Sequence, residues 1–238
     1  MTLLVVRDLV VGGSGRSPVH LGWLDLGPGD VVAVVGGAGV GKSTLLEGLA
    51  GTLPSEGSVT VAGVRVDGLS PERRVRAGLV ACPPVGPGFG HALVGDLLRL
   101  AGPARRRLRR PAAPGPYLRR DPSRPPVWTT SDLELALPGL LRFATAPSSA
   151  LGAWERCALS LAVALRASPR VLLADEPGAG LGDRSLERLR AALVHVAAAG
   201  VAVVLATRDV GFARSLGVPV AAVADGRVIA LPDKARTG

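Results

Sequence analysis

Gly36-Gly37-Ala38-Gly39-Val40-Gly41-Lys42-Ser43, followed by Thr44, gathers the residue types that anion chemistry needs. Glycines let a backbone wrap closely around phosphate oxygens with its N–H groups turned inward. A helix N-terminus adds partial positive charge, and Lys42 adds a full one where β- and γ-phosphates would sit. The Ser43 hydroxyl is the type that holds Mg²⁺ beside them. The eight residues match G-x-x-x-x-G-K-[ST] without a mismatch. A glycine-rich turn that merely precedes a helix needs no lysine, and Lys42 is one of only two in the chain, with Lys234.

A second constellation is Val171-Leu172-Leu173-Ala174-Asp175-Glu176. Four apolar residues make a buried strand that delivers an acid pair at its carboxyl end, where open α/β sheets bind ligands. Asp175 can hold Mg²⁺ through water, and Glu176 can orient or activate an attacking water. An apolar strand ending in Asp-Glu is a weak motif alone; downstream of a full phosphate loop it becomes specific.

The elements that must position these residues alternate along the chain. Strands are expected at Leu3–Val10, Val31–Val35, Ser58–Val66, Leu79–Cys82, Val171–Ala174, Val201–Ala206, Val218–Ala224 and Arg227–Leu231, the last after an Asp225-Gly226 turn. Helices are expected at Lys42–Ala50, Val94–Leu100, Asp132–Leu141, Trp154–Ala167, Arg184–Ala198 and Val210–Leu216. This pattern predicts an α/β fold with a mostly parallel central sheet, an antiparallel N-terminal β part and a small helical subdomain over about 85–165. Residues 102–127 break the rhythm with seven prolines and no apolar periodicity, which predicts a mobile insertion. No internal repeat is visible, so residues 1–238 are read as a single nucleotide-binding domain.

Composition narrows the function. Hydrophobic residues make up 47% of the chain and aromatics 3%, so the core is built from Val, Leu and Ala, as buried parallel strands require. The net charge of +9 is concentrated: residues 103–124 hold eight arginines and one acid, leaving the remainder near neutral. A globally basic nucleic-acid surface is therefore not indicated. Cys82 and Cys157 have no motif spacing and read as buried thiols of a reducing compartment. The three histidines, His20, His91 and His195, form no ligand set. MTLLVVRDLVV carries an Arg-Asp pair inside its apolar run and reads as a strand instead of a signal peptide. The longest apolar stretch, Val196–Ala206, is about half a membrane span.

In this order and spacing the chain resembles the ABC ATPase family over essentially its whole length. Leu53–Val59, Ala164–Pro177, Ala179-Gly180-Leu181 and Asp225-Gly226-Arg227-Val228 resemble the family's post-helix stretch, helix-to-strand passage, D-loop and closing hairpin. The resemblance implies ATP and Mg²⁺ as ligands, with Gly36–Thr44 binding the nucleotide, Ser43 and Asp175 the metal, and Glu176 catalytic. It also implies a cytoplasmic subunit, peripheral to the inner face of the membrane, working with a membrane-spanning permease.

The departures from the family pattern are systematic. Its signature, resembling LSGGQ, falls on Leu151-Gly152-Ala153-Trp154-Glu155, which replaces the serine by Gly152 and the second glycine by Trp154. An indole there is expected to obstruct the approach to a partner's phosphate. The phosphate-sensing glutamine falls at Pro84, the switch histidine at Arg208, and the D-loop aspartate at Gly182 with Asp183 following. No aromatic stands near Val10–Gly13 to stack on adenine. These changes predict nucleotide binding with slow hydrolysis, and a heterodimer with a second, more typical ATPase subunit. Two alternatives stay open: a regulatory subunit that binds ATP without useful turnover, and a soluble ABC protein whose Arg105–Arg110 and Arg119–Arg124 contact nucleic acid. Against the latter stand the near-neutral remainder and the scarcity of aromatics, so direct nucleic-acid contact is not expected.

Overall fold

Val-rich runs assemble into one ten-stranded mixed sheet in a computed structural model that describes residues 1–12, 17–83, 90–102 and 125–229. The strands are β1 (Leu4–Val11), β2 (Val19–Leu26), β3 (Val31–Val35), β4 (Ser55–Val61), β5 (Val64–Arg65), β6 (Leu79–Ala81), β7 (Val171–Asp175), β8 (Ala202–Thr207), β9 (Val220–Ala224) and β10 (Arg227–Ile229). Their order across the sheet is β5-β4-β1-β2-β10-β9-β3-β8-β7-β6. From β9 through β3, β8 and β7 to β6 every pairing is parallel, while β2, β1, β4 and β5 form an antiparallel wing.

The helices are α1 (Lys42–Ala50), α2 (Pro71–Ala77), α3 (Val94–Leu100), α4 (Thr130–Ala136), α5 (Ala153–Arg166), α6 (Asp183–Ala198) and α7 (Val210–Ser215), with short 3₁₀ turns at Leu141–Phe143 and Ser148–Ala150. Two cores lie on the two faces of the sheet. One joins the antiparallel wing to the parallel strands around α1, whose Leu45, Leu46 and Leu49 pack with Leu4, Val6, Val59, Leu173 and Val204. The other packs α3, α4, α5 and α6 on Ala33, Val35, Leu172, Ala174, Val203 and Leu205. Alternate residues of the buried strands therefore serve opposite cores, as a period of two requires.

Four elements differ from the sequence expectation; one is the helix expected at Asp132–Leu141, which runs from Thr130 to Ala136 and leaves Leu141 to a separate 3₁₀ turn after Pro138. β2 was not anticipated: its alternation slips at Gly22-Trp23, where two successive residues face outward. Ser58–Val66 is a hairpin, since Ala62 and Gly63 both take positive φ (48° and 82°) and turn β4 back into β5. α2 carries no apolar stripe, and its buried residue is Arg74. That guanidinium donates to the carbonyls of Gly48, Leu49 and Leu69, so it caps the carboxyl end of α1 from outside the helix. Pro84 and most of the arginine-rich stretch, residues 103–124, lie outside the described residues, as does Gly13.

Candidate functional site

Sheet register brings the chemistry-bearing residues to one level. Val35 at the end of β3 pairs with Thr207 at the end of β8, and Asp175 at the end of β7 pairs with Ala206. The chain leaves those three strand ends as the Gly36–Gly41 loop, as Arg208 and as Glu176. Three loops thus emerge side by side, at the carboxyl ends of parallel strands.

The glycine loop is shaped by contacts that a side chain would break. Gly41 has φ 108° and lies against Val19 of β2, with no room for a Cβ. A Cβ on Gly36 would press on Val40 and on the Val223 carbonyl. Gly48 of α1 is likewise closed by Val11 of β1, so the antiparallel wing buttresses the loop and its helix together.

Lys42 is 5% exposed. Its ammonium donates to the Gly36 and Gly37 carbonyls at 2.8 Å each and lies 3.4 Å from Glu176 Oε1. Glu176 takes a positive φ of 45°, unusual for a residue with a side chain, while its N–H donates to the Ala206 carbonyl. Such strain persists where surrounding structure fixes it, and it turns this carboxylate towards the lysine. Arg208 adds a second cation: its Nε is 3.2 Å from Glu176 Oε1, and its backbone N–H donates to Oε2 at 3.0 Å. Sequence inspection marks Arg208 only as a lost histidine; its pairing with Glu176 depends on the β7–β8 register and leaves no local signal.

Ser43, Asp175 and Glu176 share a cavity of about 490 Å³ with Cys82, Pro83, Arg156, Cys157 and Ser160. Ser160 Oγ donates to the Pro83 carbonyl at 2.6 Å, tying the chain after β6 to α5. Desolvation pushes both thiols up to about 12, for Cys82 with help from neighbouring Cys157, so they are neutral; both are half-buried on this cavity, where the sequence reading had them buried. A larger cavity, about 940 Å³, opens at the amino ends of β3 and β9. Its charged residues are the mutually bonded Arg7 and Asp25, and Asp30, which accepts from Gly27 N–H. It holds none of the loop residues.

The signature-like stretch behaves differently. Gly152 caps the start of α5 and, with Ala153, is exposed. Trp154 does not project towards a phosphate, contrary to the expected obstruction. It is buried in the helical core with Leu151, and the Arg188 guanidinium lies 4.5 Å from its ring centroid. Arg188 also donates to the Pro138 carbonyl, so α6, α5 and the turn after α4 meet at the indole. Gly182 caps α6, with Asp183 as its first residue.

A strand–glycine loop–helix whose buried lysine faces the second acid of a pair at the end of the next strand but one defines a P-loop nucleotide-binding domain. A sequence model of the ABC transporter family matches residues 23–94. A hemin import ATP-binding protein of Streptomyces coelicolor is 33% identical over 93% of this chain and 77% of its own length. A phosphonates import ATP-binding protein of Rhodopseudomonas palustris is 30% identical over 95% and 83%. An ABC transporter ATP-binding protein of Streptomyces avermitilis is 36% identical over 87% of this chain, which spans about a third of that relative's length (34%). In fold, the chain matches a nucleotide-free ATP-binding cassette of an ABC transporter with a TM-score of 0.75, at 16% identity over 97% of this chain and 90% of that one. The chain belongs to the ATP-binding proteins of the ABC transporter family. Membership carries ATP as the ligand class. Among the described residues no helix is long and apolar enough to cross a membrane.

Proposed function

We propose that this chain binds Mg-ATP through Gly36–Thr44 and serves as the ATP-binding subunit of an ABC transporter beside a separate membrane-spanning permease. The observation that carries the reading is the convergence of Lys42, Ser43, Asp175 and Glu176 at the carboxyl ends of β3 and β7. The residues fit the ligand: Gly36 and Gly41 hold a close-wound loop backbone that a Cβ against Val40, Val223 or Val19 would push apart, and Lys42 is the buried cation beside it. Ser43 and Asp175 are exposed hard-oxygen donors on one cavity, the donor type Mg²⁺ requires.

Bound there, Mg²⁺ would neutralise phosphate charge as the terminal bond breaks. Lys42 would exchange its two loop carbonyls for phosphate oxygens. Glu176, held by its strained backbone, would orient the attacking water and accept its proton. Gly152 offers no hydroxyl to a partner's nucleotide, and Pro84 and Arg208 stand where the family senses phosphate. We therefore assign slow intrinsic hydrolysis, and a heterodimer in which a more typical ATPase subunit supplies its own signature to this chain's loop. In this reading residues 1–238 form one domain with a helical subdomain over about 85–165, cytoplasmic and held to the membrane's inner face by partners.

The engagement of Glu176 by Arg208 favours a second reading, in which the chain binds ATP as a regulatory subunit without useful turnover. Both readings require the loop to bind nucleotide. Calorimetry with Mg-ATP tests that requirement: Lys42→Ala is expected to weaken binding at least about tenfold, ~1.4 kcal/mol. Unchanged affinity would remove the assignment of the loop.

A further inference from the structure

The cavity of about 940 Å³ lies where one strand of the sheet stops short of its neighbours. β10 sits between β2 and β9, yet its pairing with β2 ends at Arg227↔His20, while β2 runs on to Leu26. Beyond Ile229, among the described residues, no strand fills the space between β2 and the chain that enters β9. Trp23 and Asp25 of β2 line one side of the cavity, Val218 and Pro219 the other, and Val194 of α6 lies over it. Trp23 and Val194 are 39% and 49% exposed, so an apolar surface stands open there.

The turn before β10 fixes where the chain heads next. Asp225 and Gly226 both take positive φ, 48° and 70°, which makes a two-residue hairpin and sets the antiparallel register from Arg227↔Ala224 to Ile229↔Ala222. Continued by two residues, that register brings Leu231 opposite Val220 and Pro232 opposite Pro219, at the wall of the cavity. Residues directly opposite share a face of the sheet, and Val220 packs against the core on the α6 side. Val228 packs against the other core, so the period of two also turns Leu231 towards α6. Pro232 has no N–H to give a ladder and marks where pairing ends. Lys234 and Arg236 follow it, and the acids of the cavity lining, Asp25 and Asp30, outnumber its one base, Arg7.

We propose that the occupant of this cavity is the chain's own segment 230–238, which lies outside the described residues. Ala230 and Leu231 prolong β10 between β2 and β9, and the Leu231 side chain seats on the apolar lining. The segment covers Trp23 and Val194 and gives the second half of β2 a partner on its open edge. This docking site lies at the amino end of β3, the opposite end from the nucleotide loop, and needs no bound nucleotide.

Cysteine trapping and amide exchange on the full chain test the docking. Val220→Cys combined with Leu231→Cys is expected to link within one chain under mild oxidation by diamide, read by peptide mass spectrometry. Val220→Cys combined with Lys234→Cys, three residues out of register, is expected to link at least about tenfold more slowly. In the wild type the gap-facing amides of residues 23–26 are expected to exchange slowly. Leu231→Asp, which sets a charge on the apolar lining, should speed them at least about tenfold, and Leu231→Met should leave them within about twofold. Unchanged exchange in α5 marks that effect as local and the fold as intact. Equal linking of the two cysteine pairs, or none in either, would overturn the proposal. A link between two chains would overturn it too, by giving the gap to a second copy. So would fast exchange of residues 23–26 in the wild type, or exchange that Leu231→Asp does not move.

Discussion

Around Lys42 the functional side chains face one another across loops from three strands; around Trp154 they turn into the chain's own core. Lys42, Glu176 and Arg208 form a charged cluster whose geometry is set by β3, β7 and β8. Trp154 is packed among Leu151 and the helices, with Arg188 on its face. In the function proposed above, the first region serves this chain's own nucleotide. The second is the stretch that resembles the family's signature, and its tryptophan is committed to the core. The contrast teaches that a half-site used by the same chain and a half-site offered to another can diverge within one domain.

The strongest test of that contrast is Trp154→Ala. If the indole is a core residue, its loss should destabilise the fold by ~3–5 kcal/mol, read from urea unfolding. A change under about 1 kcal/mol would mean that the ring contributes little packing and that the two regions are less different than described. Next in size stands Lys42→Ala, with its loss of about tenfold or more in ATP affinity. The comparison is sharpest if Trp154→Ala, where still folded, leaves ATP affinity within about twofold of wild type, since the indole packs in the helical core and does not line the cavity of Ser43, Asp175 and Glu176.

Gly152→Ser should have the smallest effect. A side chain there meets only the flexible Glu155 carboxylate, and Gly152 already has an extended, ordinary backbone at the start of α5. Serine is a better N-cap than glycine by on the order of a few tenths of a kcal/mol, so the urea midpoint should rise slightly. A fall would show that the signature-like turn is closed to the residue its family carries.

The loop and the acid pair were legible in the sequence because each is a short contiguous run whose residue types state their purpose. α1 and α3 fell where periodicity placed them, and the acid pair does end its strand. What escaped was set by distant partners. β2 hides behind the slip at Gly22-Trp23, and only its pairing with β1 reveals it. α2 buries an arginine instead of an apolar stripe, although Ser70 followed by Pro71 at the first helical position was a start signal in plain view. Trp154 was misjudged because a substituted signature residue reads as an obstruction until Arg188, on another helix, is seen to cover it. The pairing of Arg208 with Glu176 likewise exists only through the alignment of β7 with β8.

The central claim is that this chain binds its own nucleotide yet offers little to another copy's. Phosphate release by the purified chain alone, under saturating Mg-ATP, tests it most directly. Self-pairing would place Gly152, which offers no hydroxyl, opposite each nucleotide, so turnover should stay well below about 1 s⁻¹ despite tight binding. A rate of about 1 s⁻¹ or more, abolished by Glu176→Gln, would contradict the account by showing that two copies of this chain complete each other's sites.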